Sequence, residues 1–158
     1  MPALARSAAP DLDLAWLRLL TAAELLAIDF YGRTAATAAI PARQLLADER
    51  AHYHALAQLL TRAGATPATA ADIDFSYPRR PHAELALRIE RLMLGAYVGA
   101  AVSLQTPELR LAVTQVAANE AQHVAVWSRL EGRGPVGPAF APALTIAAAS
   151  NALAEFES

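Results

Sequence analysis

The stretch Leu45 to Leu60, LLADERAHYHALAQLL, decides how the chain is read. Leu45, Leu46, Leu56, Leu59 and Leu60 recur at the spacing of a helix that hides one apolar stripe. Within that stripe stand Glu49 and His52. Three residues apart on a helix, a carboxylate and an imidazole project from one face about one turn from each other. A buried carboxylate needs a partner, and a metal ion can take both groups as ligands. The same spacing returns at Glu120 and His123, inside a second apolar helix, LRLAVTQVAANEAQHVAVWSRL. One Glu-x-x-His is ordinarily a solvated pair; two in one small chain are much harder to assign to chance.

With 158 residues the chain has the size of a single domain over 1–158, enough to bury a core without covalent staples. It is 55% hydrophobic but only 6% aromatic, and alanine and leucine dominate, which suits closely packed helices. The expected fold class is all-α. Net charge is −2, and the basic residues, all arginine, are scattered apart from Arg79-Arg80, so no nucleic acid partner is expected. Cysteine is absent, which excludes disulfides, thiolate chemistry and cysteine-held metals, and leaves oxygen and nitrogen as ligands. Arg18, Glu24 and Asp29 interrupt the most hydrophobic early segment, and the amino terminus has no apolar core of signal-peptide length. Neither export nor a membrane partner is expected, and the cytoplasm is the expected location.

Helical periodicity and end signals place helices at about 12–34, 41–63, 82–104, 107–131 and 145–156. Asp11 or Asp13 is expected to cap the first, and a turn falls between Ala35 and Ile40. Gly64 stops the second, Thr106-Pro107 opens the fourth, and Thr145 is a candidate cap for the fifth. Between the second and third helices lies ATPATAADIDFSYPRRP, too long for a turn between antiparallel neighbours. The architecture expected is an antiparallel four-helix bundle with one long crossover between helices 2 and 3 and a short C-terminal helix.

The two halves repeat a pattern. Glu24 is followed seven residues later by Tyr31, and Glu90 seven later by Tyr97; each pair precedes a helix carrying Glu-x-x-His. The turns near residues 37 and 106 bring the lone glutamates level with Glu49/His52 and Glu120/His123. Glu24, Glu49, His52, Glu90, Glu120 and His123 then form the ligand set of di-iron and di-manganese carboxylate bundles. Four carboxylates neutralise two divalent ions, and hard oxygen donors with imidazole suit iron first and manganese second, with zinc a further occupant in vitro. Arg88 and Arg91 offer Glu90 a competing surface ion pair, but its link to Tyr97 favours the inward reading. Tyr31 and Tyr97 read equally well as core aromatics with a polar tip. Trp16 and Trp127 read as core or interface packing, His54 and His82 as surface or capping groups. Gly95 and Gly99 are expected to admit another helix backbone, and Asp29 and Asp48 lie off the ligand stripe, Asp48 within reach of a neighbouring helix.

The segments ELLAIDFY (Glu24 to Tyr31), DERAHYHAL (Asp48 to Leu56), RIERLMLGAYVGA (Arg88 to Ala100) and NEAQHVAVWSRL (Asn119 to Leu130) resemble the ferritin-like superfamily, with rubrerythrin-type motif order. They look most like the ferritin-like domain family that includes desiccation-related proteins, and PAFAPALTIAAASNAL resembles the tail that closes its members. The resemblance implies that Tyr31 and Tyr97 hydrogen-bond metal-ligating carboxylates on neighbouring helices. It implies a cofactor of two metal ions and redox chemistry toward dioxygen, peroxide or ferrous iron, of ferroxidase, peroxidase or catalase type. Without a cysteine module, a rubrerythrin peroxidase with its own electron relay is excluded. The alternative is a non-enzymatic, stress-related or structural bundle whose metal site is vestigial or only stabilising. A homodimer is compatible with either reading.

Overall fold

The computed structural model describes residues 10–34 and 40–158. Within these residues five helices follow in order: α1 (Asp11–Thr34), α2 (Ile40–Arg62), α3 (His82–Ser103), α4 (Pro107–Leu130) and α5 (Ile146–Ala154). Among the described residues the only extended pairing is a single bridge between Phe75 and Glu157. The all-α bundle is therefore observed, with each helix within two residues of the expected bounds. The expected turn after α1 lies outside the described residues.

α1 packs along α2 and α3 along α4, while α1 meets α3 and α2 meets α4, which closes a four-membered ring. Cross-bundle contacts give the direction of each pair. Tyr31 reaches Glu90 while Tyr97 reaches Glu24, so α1 and α3 are antiparallel. His52 faces Glu120 while His123 faces Glu49, so α2 and α4 are antiparallel too. The link at 104–106 reverses the chain between α3 and the α4 packed along it, so α2, which runs opposite to α4, runs the same way as α3. The connection over residues 63–81 therefore has to cross the length of the bundle.

α2 ends at Gly64, whose φ of +82° suits a residue without a side chain, and Ala65 N donates to Leu60 O to close the last turn. The crossover is tied down along its course. Tyr53 donates to Ala68 O at 2.7 Å, Tyr77 to Asp29 at 2.7 Å, and Ser76 N to Phe156 O at 2.8 Å. Phe75 is buried beneath it.

Two expectations change in detail. Asp13 does not cap α1: its buried carboxylate accepts bonds from Gln105 N, Thr106 N and Thr106 Oγ1, and so closes the start of α4. Gln105 and Thr106 stand just before Pro107, at the positive end of the α4 dipole, where a carboxylate is favoured. Gly95 and Gly99 do admit a close backbone, but it belongs to the extended segment before α5, not to a helix. Leu144 N donates to Gly95 O at 2.9 Å, and a Cβ on Gly99 would lie 1.9 Å from Leu144 O. Thr145 then caps α5 by accepting from Ala148 N.

Much of the core is aliphatic, with Leu17, Leu20, Leu26, Leu56, Leu60, Ile89 and Met93 removed from solvent. Each contributes about 1.5–3 kcal/mol of burial. Among these residues a charged group is buried as well.

Candidate metal centre

Each of the four long helices sends acidic or basic groups into the middle of the bundle. α1 supplies Glu24, α2 Glu49 and His52, α3 Glu90, and α4 Glu120 and His123. The glutamates are all fully buried, His123 is 3% exposed and the His52 side chain 12%. Two ligand sets result: Glu24, Glu49, His52 and Glu120 in one, Glu49, Glu90, Glu120 and His123 in the other. Within each set one donor atom per residue lies within 4.8 Å of the rest. Glu49 and Glu120 belong to both sets, whereas Glu24 and Glu90 belong to one each.

The internal distances are short. His52 Nδ1 is 3.1 Å from Glu120, 3.2 Å from Glu49 and 3.7 Å from Glu24. His123 Nδ1 is 3.1 Å from Glu49, 3.3 Å from Glu90 and 3.5 Å from Glu120. His52 Nδ1 hydrogen-bonds Glu49, but nearness does not satisfy the rest. Oxygens of Glu24, Glu49, Glu90 and Glu120, together with both nitrogens of His123, are buried without a hydrogen-bond partner. A buried charge left so costs several kcal/mol, and native interiors rarely tolerate even one. Six of these atoms, five carboxylate oxygens and His123 Nδ1, face one another, and with four carboxylates to balance two divalent ions they fit a pair of metal ions.

Electrostatics follow from the crowding. Burial pushes the Glu24 and Glu90 carboxyls well above the carboxylate range, reinforced by the neighbouring glutamates. Burial would raise Glu49 as well, but the imidazoles of His123 and His52 beside it prevail and hold it at about 2. Burial would lower His52, yet Glu120 and Glu49 outweigh it and carry the ring up to about 9. His123 is raised further for the same reason.

Tyrosines flank the two outer carboxylates. Tyr97 donates to Glu24 and Tyr31 to Glu90, each across the bundle from the opposite half. Burial first, then the facing glutamates, push both phenols up, so both remain protonated donors. Trp127, read from the sequence as packing, does more: its indole N–H donates to the Tyr31 oxygen at 2.8 Å, with the two rings stacked. Its position four residues after His123, on the same helical stripe, was the available signal. His82 is also not a free surface group. It is partly buried, stacked on Phe30 at 4.8 Å and edge-on to Trp127, and burial lowers its pKa. His54 is exposed, as expected. Arg88 pairs with Glu155, not with Glu90. Asp48 reaches α4, where it lies 3.5 Å from His123 Nε2.

Four antiparallel helices that pool four glutamates and two histidines, each outer glutamate held by a tyrosine, define a carboxylate-rich bundle of the ferritin-like type. The chain belongs to the ferritin-like domain family, which matches residues 12–133. Its fold is similar to that of a conserved hypothetical protein from Mycobacterium tuberculosis, at 23% identity over 81% of this chain and 96% of that one, with a TM-score of 0.69. It is also similar to a ferritin-like, diiron-carboxylate protein from Bacillus anthracis, at 25% identity over 75% and 94% of the two chains, with a TM-score of 0.61. No curated protein matches the chain. No helix among the described residues is long and apolar enough to cross a membrane.

Proposed function

We propose that this protein is a di-metal carboxylate oxidoreductase that holds two ions of iron, or alternatively manganese, and acts on dioxygen, peroxide or ferrous iron. The observation that carries the reading is the pair of buried ligand sets joined through Glu49 and Glu120. The diiron-carboxylate character of the Bacillus anthracis protein supports iron as the first choice. Glu49 and Glu120 are placed to serve both ions, Glu24 and Glu90 one each, and neutral His52 and His123 would complete the two sets. When bound, such a pair would supply two electrons, the number that takes dioxygen to peroxide or peroxide to water. Tyr31 and Tyr97 keep the outer carboxylates oriented by donating to them, and the aliphatic layers around Leu20, Leu26 and Met93 exclude bulk water.

Five of the six ligands are at most 3% exposed, which equally suits a metal site that only stabilises the bundle. One pair of measurements separates these readings. Ferrous or manganous ion added to the metal-stripped chain should raise Tm, and ferrous ion under air should drive oxygen consumption. A rise in Tm without oxygen uptake would establish the stabilising site instead; no change in either would remove the metal centre altogether.

A further inference from the structure

The two halves of the centre repeat one another at the ligands but not around them. Four residues after His123 stands Trp127, whose N–H holds the Tyr31 oxygen, and Tyr31 in turn holds Glu90. Four residues after His52 stands Leu56, which can donate nothing to Tyr97. Before Glu49 stands Asp48, 3.5 Å from His123 Nε2, an ion-pair separation and not a hydrogen bond. Before Glu120 stands the neutral Asn119. Among the described residues the carboxylates within ion-pair distance of His52 all lie on its Nδ1 side. Exposure differs in the same sense, 12% for the His52 side chain against 3% for His123. His52 lies in the wall of a groove of about 230 Å³ between α2 and α4, formed with Leu56, Leu59, Ala112, Gln115 and Val116. On the His123 side Trp127, buried and bonded to Tyr31, has the His82 ring edge-on against it.

We infer that the two metal positions are unequal by construction: the position on Glu90 and His123 is filled first and held, while the position on Glu24 and His52 is the weaker, exchangeable one that faces the groove. This rests on the di-metal reading above and adds an assignment within it. The physical reason lies in the outer partners. A donor chain that fixes a ligating carboxylate, and a carboxylate opposite the free nitrogen of a ligating imidazole, orient the ligands and raise the basicity of the ring. The His123 half has the two-link chain from Trp127 through Tyr31 and the outer carboxylate of Asp48, whereas the His52 half has only the single bond from Tyr97 to Glu24. Trp127 and Asp48 are thus positioning residues, acting through Tyr31 and His123.

The test is a Mn²⁺ titration of the metal-stripped full chain, with free Mn²⁺ read by electron paramagnetic resonance. Two separate steps are expected, the first at least about tenfold tighter. Asp48→Asn and Trp127→Phe should each weaken the first step by roughly 10–100-fold and leave the second in place. Asp48→Glu should restore the first step, which loss of general structure would not allow. Asp48 is partly exposed, so its variants keep the test decisive if Trp127→Phe fails to fold. His52→Ala should remove the weak step and His123→Ala the tight one. Two equal steps in the unaltered chain, or an Asp48→Asn effect that falls on the second step, would overturn the assignment while leaving the di-metal reading intact. No Mn²⁺ or Fe²⁺ bound at all would overturn both.

Discussion

Tyr97, on α3, donates its hydroxyl proton to Glu24, on α1, across the middle of the bundle. Both groups are fully buried, so the bond has no water to replace it. Tyr97→Phe should therefore lower the stability of the chain by about 1–3 kcal/mol, the usual cost of stranding a buried acceptor. Thermal unfolding followed by circular dichroism reads this directly. An unchanged Tm would mean that Glu24 finds another donor and that Tyr97 is only a packing group.

The metal-free protein should lose stability as pH rises from about 6.5 to 9. Burial opposes charge on His52, but Glu120 and Glu49 raise the folded-state pKa to about 9, so folding favours the protonated ring. That contribution is complete below the unfolded value of about 6.5 and disappears as pH climbs through 9. Glu24 and Glu90, whose pKa values are raised by burial, act in the same sense because folding favours their protonated forms. Glu49 acts oppositely, but its depressed value of about 2 places that loss in strong acid. Bound metal should flatten the alkaline decline, since the ion takes the place of the protons. A metal-free Tm that stays level or rises between pH 6.5 and 9 would contradict the charge arrangement described here.

Gly99→Ala should destabilise the chain although alanine favours helices. The propensity gain is about 1 kcal/mol, whereas the new Cβ would meet the Leu144 carbonyl oxygen at 1.9 Å and must displace the backbone. The Leu144 N to Gly95 O bond would be lost with it. Faster proteolysis within residues 131–145, at unchanged metal uptake, is the expected signature. A more stable Gly99→Ala protein would show that the tail does not sit in the groove that Gly95 and Gly99 make.

Asp13→Ala should cost about 2 kcal/mol, at the upper end for a helix cap, because one carboxylate serves two backbone amides and the Thr106 hydroxyl. Hydrogen exchange would show where the effect falls. Loss of protection in the first turn of α4, with α1 unaffected, is the outcome expected; fraying of α1 alone would return Asp13 to its own helix.

Replacing either histidine of the centre removes one ligand and leaves the apolar layers intact. His52→Ala and His123→Ala should each lower metal content while the far-ultraviolet dichroism stays near that of the unaltered chain. Full metal occupancy in both variants would show that these imidazoles are not ligands.

Much of this could be read along the chain because helices make spacing into geometry. Glu-x-x-His at Glu49 and Glu120, and the seven-residue step from Glu24 to Tyr31 and from Glu90 to Tyr97, place side chains on one face wherever a helix forms. Gly64, Thr106-Pro107 and Thr145 mark helix ends by chemistry that acts within one turn. What was misread lies across the bundle. Asp13 looks like a cap for its own helix and closes another one some 90 residues away, because the carboxylate takes whichever amides the packed ends present. Trp127 looks like bulk and is a donor, since nothing near it in sequence shows the Tyr31 oxygen.

The amino-acid order by itself determined which residues share a stripe on each helix, where those helices stop, and that the interior would hold four carboxylates and two imidazoles. Only tertiary structure decided who meets whom: Tyr31 with Glu90, Tyr97 with Glu24, Asp48 with His123, and Leu144 against Gly99. Periodicity is a property of one helix and survives in the sequence. Register between helices is set by how their side chains fill the space they share, and that exists only once the chain has closed around it.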